Sequence, residues 1–214
     1  AMNDAFNSCN KLMSITLPST LKNINGYAFS GTGLTSITIP ASVDSIGIRG
    51  FGDCHSMASI DIEDSDNVLK MINGYNGSFN YTDADKTVVI GRNLWLSENG
   101  APFINPTSVE FGEKVTTINP YLFRWCDKLS SVSIGSGVTT IGDAAFYDAG
   151  DADEVGEMVV TMGENVTTIG GSAFEGCDKL TSVTLPSTLK LVEGYAFQSS
   201  ALTSIVIPAS VDSL

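Results

Sequence analysis

The chain repeats itself. From Cys177 to Leu214 it restates Cys9 to Ile46, with roughly two-thirds of the positions identical. Both copies run through Leu-Pro-Ser-Thr-Leu-Lys and Gly-Tyr-Ala-Phe into Leu-Thr-Ser-Ile, an unmatched residue, and Ile-Pro-Ala-Ser-Val-Asp-Ser. A sequence that recurs at a fixed period builds units that each bury their apolar side against the next, so the expected object is a stack.

An apolar-x-apolar triplet marks each unit. It falls at Ile15/Leu17, Ile37/Ile39, Ile60/Ile62, Val88/Ile90, Val109/Phe111, Val132/Ile134, Val160/Met162, Val183/Leu185 and Ile205/Ile207. By subtraction the steps are 22, 23, 28, 21, 23, 28, 23 and 22 residues, within the span of about 20–29 that characterises leucine-rich repeats. Phenylalanine keeps the same time. It follows the second triplet residue by 12 positions at Phe29, Phe51, Phe123, Phe146, Phe174 and Phe197, by 13 at Phe103 and by 17 at Phe79. With Phe6 at the start and Phe111 inside a triplet, every Phe is accounted for.

The local chemistry gives each coil its shape. In Ser36-Ile-Thr-Ile-Pro40 the period is two, which sends Ile37 and Ile39 inward and Ser36 and Thr38 to water. Pro18, Pro40, Pro186 and Pro208 then end the strand, because proline cannot donate to a ladder; Gly91, Gly112, Gly135 and Gly163 hold the same place elsewhere. A second apolar pair follows, as in Val43/Ile46, Val138/Ile141 and Val166/Ile169. The Ala-Phe segment is expected to make one short helical turn opposite the sheet, with the Phe rings stacked at rung spacing.

The consensus Ile-Gly-x-x-Ala-Phe-x-x-Cys-x-x-Leu-x-x-Ile-x-Ile-Pro, shown almost whole by residues 141–146 and 177–186, resembles the coil of the BspA-like leucine-rich-repeat family. The resemblance covers essentially the whole chain. It implies a right-handed solenoid with one parallel sheet, here of nine strands and roughly 40 Å long at about 4.8 Å per rung. It also implies an extracellular or cell-surface protein of a host-associated organism with a role in adhesion to host proteins. The expected domain is a single solenoid over residues 1–214, a piece of a longer protein because neither end carries a polar capping repeat.

Composition narrows the partners. A net charge of −13 and a pI near 4.2 argue against nucleic acid and anionic membrane surfaces, which select clustered Lys and Arg. No apolar run approaches the roughly 20 residues of a membrane span, so no membrane insertion is expected. Cys9, Cys54, Cys126 and Cys177 all stand three residues after a Phe. The closest equivalents are two coils apart, at about 9–10 Å from the rung spacing, too far for a disulfide. Free, buried thiols packed as small hydrophobes are expected. A monomer is expected, with no cofactor.

Catalysis finds little footing. His55 is the only histidine, and it sits beside Cys54 at a packing position. There is no phosphate-binding Gly loop and no Cys-x-x-Cys metal pattern. No catalytic residue is assigned and an enzyme is not expected. Two insertions break the period: Ile62 to Phe79 takes 17 residues instead of 12, and Phe146 to Val160 takes 14 where Phe123 to Val132 takes 9. Their acids (Glu63, Asp64 and Asp66; Asp148, Asp151, Asp153, Glu154 and Glu157) offer calcium-type ligands, but neither loop has the EF-hand spacing. Solvated acidic loops are therefore expected, and no metal site is assigned.

The outward row of the sheet is more informative. It reads Thr16, Thr38, Asp61, Val89, Glu110, Ser133, Thr161, Thr184 and Val206. Ser and Thr simply suit an exposed strand, so the candidate binding residues are Asp61, Glu63 and Glu110, with Tyr75, Tyr81 and Trp95 in the irregular coils nearby; Trp125 is a further exposed-type aromatic. The function expected is a non-enzymatic adhesin-type module that meets a host extracellular protein. Two alternatives stand beside it: an architectural spacer presenting another domain, and a glycan-binding module using the aromatic coils.

Overall fold

The computed structural model describes residues 4–72, 77–79, 86–97 and 101–214. Two kinds of strand alternate along the chain. The short ones are β1 (Asn23–Ile24), β3 (Ser45–Ile46), β5 (Leu69–Met71), β7 (Leu94–Leu96), β9 (Thr117–Ile118), β11 (Thr140–Ile141), β13 (Thr168–Ile169) and β14 (Leu191–Val192). The triplet strands are β2 (Ser36–Ile39), β4 (Ser59–Ile62), β6 (Thr87–Arg92), β8 (Ser108–Lys114), β10 (Ser131–Ile134) and β12 (Val159–Thr161). Every pairing is parallel and joins equivalent strands of adjacent coils, with β7 and β9 alone left unpaired to each other, which makes a β-solenoid.

Register follows the triplet. Ile37, Ile60, Val88, Val109, Val132 and Val160 are cross-strand partners, as are Ile39, Ile62, Ile90, Phe111 and Ile134. All eleven are buried, while the residues between them face outward. A one-residue slip would expose the whole set, so burial itself pins the register.

The expected nine-stranded sheet has six strands among the described residues. The triplets Ile15/Leu17, Val183/Leu185 and Ile205/Ile207 hold their places in the stack but form no strand. Crevices of about 230 Å³ beside Ser14–Leu17 and about 410 Å³ between Ser182–Leu185 and Ser204–Val206 show these outer rungs splaying from their neighbours. The last of them is held by few apolar contacts, with Ile205 and Ile207 37% and 40% exposed, while Leu17 and Leu185 stay buried.

The second apolar pair makes a ladder of its own, in two four-stranded sheets, β1-β3-β5-β7 and β14-β13-β11-β9. Between β7 and β9 the Asn93 side chain fills the gap. Its Oδ1 accepts from the backbone N–H of Thr116 (2.9 Å) and Thr117 (3.2 Å). One coil on, the backbone carbonyl of Thr116 accepts from Thr139 and Thr140 in the same forked way.

Opposite the main sheet there is no helix among the described residues, which corrects the expected helical turn. The reason is local. Two residues after each Phe of these turns the backbone is left-handed in every described case: Ser8, Gly31, Asp53, Asn105, Trp125, Asp148, Gly176 and Ser199, with φ between 45° and 70°. Two residues before Phe it is left-handed at Tyr27, Arg49, Tyr121, Ala144, Ser172 and Tyr195. A right-handed helix cannot run through such positions. Instead alternate N–H groups donate to the next coil: Trp125 to Tyr147 and Phe123 to Ala145, both at 2.8 Å, and Tyr121 to Asp143 at 3.0 Å. The turns are thus laddered as well.

These ladders hold the Phe rings in a column. Phe6, Phe29, Phe51, Phe79, Phe103, Phe123, Phe146, Phe174 and Phe197 stack in sequence with centroids 5.0–5.7 Å apart. Phe111 meets Phe123 and Phe146 edge-on from the sheet. The Cys position serves the same turn: the thiols of Cys54, Cys126 and Cys177 donate to the carbonyls of Phe29, Phe103 and Phe146 in the preceding coil. All four cysteines are free. Cys9 departs from expectation in being exposed.

Candidate binding site

Asp61 and Glu110 sit on the main sheet with their side chains outward, in one row. Cross-strand pairing runs Thr38, Asp61, Val89, Glu110 and Ser133. The two carboxylates are therefore two rungs apart, about 9–10 Å by strand spacing. Glu63 follows β4 and Asp64 lies beside it, packed over Gly91 and Gly112, where a Cβ would come within 2.5 Å and 2.9 Å of the Asp64 Oδ1. Partial burial pushes the Asp61 carboxyl above the usual range, and the charges of Glu63 and Asp64 push it further the same way. Lys114 brings positive charge to this edge, but it is paired with Asp66 at 2.9 Å.

Glu63 has a second task. Its Oε2 accepts the backbone N–H of Ala41 at 2.8 Å, and its charge acts on Arg92. Arg92 is fully buried. It continues the inward side of β6 and donates to the carbonyls of Pro40 (2.9 Å), Ala41 (2.9 Å) and Val43 (3.0 Å). Burial draws its pKa down, while Glu63 and then Asp44 oppose that. The guanidinium staples the turn after β2 to the end of β6, two coils on. A buried charge is tolerated only with such partners. The triplet motif does not reach Arg92, although the two-residue period carried past Ile90 places it inward. Lys86 is likewise buried and donates from Nζ to the carbonyl of Ile104.

The other candidates do not join this group. Trp95 is 51% exposed but lies on β7, in a different sheet, paired with Lys70. Tyr75 and Tyr81 lie outside the described residues. At the second insertion, burial and the charges of Asp151 and Asp148 raise the Asp127 carboxyl. No group of three or more metal-type ligands occurs among the described residues.

Solenoid geometry and coil sequence together define a leucine-rich-repeat protein. The family described as BspA type Leucine rich repeat region matches in six copies, over residues 2–95 and 103–214, and the chain belongs to that family. Among solved structures it is similar to a leucine-rich repeat protein from Eubacterium ventriosum, with 23% identity and a TM-score of 0.66, covering 89% of this chain and 48% of that one. It is also similar to a leucine rich cell surface protein from Faecalibacterium prausnitzii, with 25% identity and a TM-score of 0.46, covering 93% and 48%. The chain thus spans about half the length of these relatives. No curated protein matches it.

Proposed function

We propose that this solenoid is a non-enzymatic binding module at the cell surface, of adhesin type, and that the acidic group Asp61, Glu63 and Glu110, joined by Asp64, receives a basic patch on a host extracellular protein. The observation that supports this reading is the outward row itself, with Asp61 and Glu110 two rungs apart on one sheet face and Glu63 and Asp64 at the end of β4; burial and the charges of Glu63 and Asp64 raise the Asp61 carboxyl. Carboxylates crowded on an outward face destabilise the fold that carries them, and such an arrangement is retained where charge is useful. The face sits on a rigid six-stranded scaffold, which favours binding because little ordering is needed.

Binding of the protein to immobilised extracellular-matrix proteins and to a soluble oligolysine peptide tests the reading. Affinity for at least one matrix protein and for oligolysine should fall steeply between about 0.05 and 0.5 M salt, since exposed charges are screened over about 10 Å at 0.1 M. Salt-insensitive binding, or none, would remove the acidic face from the account.

A further inference from the structure

The coil around Phe123 puts a bulky side chain where most coils place a small one. Two residues after each stacked Phe the described residues are Ser, Gly, Asp or Asn in a left-handed conformation, apart from Trp125 with φ 60°; Tyr81 holds the same place after Phe79, outside the described residues. Small or amide-type side chains tolerate that conformation, and a bulky one is strained in it. Tyr121, two residues before the same Phe, is left-handed with φ 60°, as Tyr27 and Tyr195 are in their coils. Among the described residues, this coil alone follows such a Tyr with a left-handed Trp. Trp125 gains little burial there, being 58% exposed. Strain with so small a packing return points to use.

The surroundings are ordered. Arg124 lies over the Trp125 ring at 3.7 Å from its centroid, with Tyr147 at 5.2 Å and Tyr121 at 5.6 Å. Its Nε is buried without a hydrogen-bond partner, so the rings and not an acceptor hold it at that atom. The Asp148 carboxyl lies beside the indole N–H of Trp125, which acts to hold its pKa down. Burial raises the Asp148 carboxyl, with Asp151 and Glu175 adding to the rise and the Trp125 N–H and Arg124 opposing it. The result is a fixed indole with a guanidinium on one face and a carboxylate at its edge.

We propose that Trp125, with Arg124 and Asp148 beside it, is a carbohydrate-binding platform that stacks the C–H face of a neutral hexopyranose. The electron-rich indole face attracts the partly positive C–H hydrogens of a pyranose ring. Arg124 and Asp148 supply a donor and an acceptor side by side, the pairing that sugar hydroxyls satisfy. A cationic side chain suits the site less well. Arg124 already occupies the cation's place on the ring, and a second cation on the far face would stand roughly 7 Å from it, inside the screening length of about 10 Å. This site is separate from the acidic sheet face, and either can fail without the other.

The test uses the intact chain, a panel of purified neutral polysaccharides (mannans, galactans, β-glucans and desialylated mucin glycans) and the variants Trp125→Asn, Trp95→Ala and Asp61→Asn/Glu110→Gln. Asn stands at the equivalent position in the preceding coil as Asn105, so Trp125→Asn keeps a left-handed-tolerant residue and should melt no lower than the parent. Calorimetry and tryptophan fluorescence should show at least one polysaccharide bound, independently of salt, with affinity reduced tenfold or more in Trp125→Asn. Trp95→Ala and the acidic double variant should bind the glycan as the parent does. Three results would overturn the proposal: no panel member bound, undiminished binding by Trp125→Asn, or salt-sensitive quenching of Trp125 by oligolysine in place of a glycan.

Discussion

At the residue scale, the repeat positions are explained by the backbone groups they satisfy. The thiols of Cys54, Cys126 and Cys177 each cap a Phe carbonyl of the preceding coil, and Thr32 and Ser200 do this for the Phe of their own coil through a hydroxyl. Burial pushes the thiols of Cys126 and Cys177 up to about 12 and raises that of Cys54, so none of the three forms thiolate at neutral pH. In a thiol titration without reductant, the native protein should react at one site, Cys9, and the denatured protein at four. More than one fast native site would mean that the turns are open.

At the scale of elements, the Phe column and the turn ladders work together. Phe174 is fully buried, with Phe146 at 5.1 Å and Phe197 at 5.4 Å on either side. Phe174→Ala removes both stacking contacts and opens a cavity, and should lower unfolding free energy by about 3–5 kcal/mol. His55→Ala, at an exposed position, should change it by less than about 0.5 kcal/mol. Denaturant titration of the two variants checks the contrast, and similar losses would refute the column. The column was legible in the sequence because the Phe spacing is set by coil length, and so was the register of β2 to β12. The turn conformation was not. Ser, Asp and Gly after Phe suit a cap, a loop or a left-handed turn equally, and only the ladder to the next coil selects one. The paired strands of the second ladder were hidden for a related reason: two residues are too few to show a period.

At the scale of the whole molecule, a net charge of −13 is concentrated where coils are interrupted. Asp61, Asp127 and Asp148 all have carboxyls raised above the ordinary range, with burial the first cause and neighbouring acids adding to it. A raised carboxyl makes the folded state bind protons more readily than the unfolded one. Stability therefore increases as pH falls through the raised values, and the gain is complete near the unfolded Asp pKa of about 3.9. The acidic row was legible in outline, since two-residue alternation sends Asp61 and Glu110 outward. The tie from Glu63 to Ala41 and the staple at Arg92 were not, because they join residues 22 and about 50 positions apart in the chain.

The most direct test of the central claim measures one variant in two ways. Asp61→Asn/Glu110→Gln removes outward charge and no core contact, and it spares Glu63, which holds Ala41. Its thermal midpoint at pH 7 should lie above that of the parent, with the difference gone below about pH 4, where the parent's Asp61 is protonated in both states. Its affinity for the salt-sensitive matrix partner should fall at least tenfold. A variant that melts lower than the parent, or that binds as tightly, would contradict the assignment of this face as a binding surface maintained against stability.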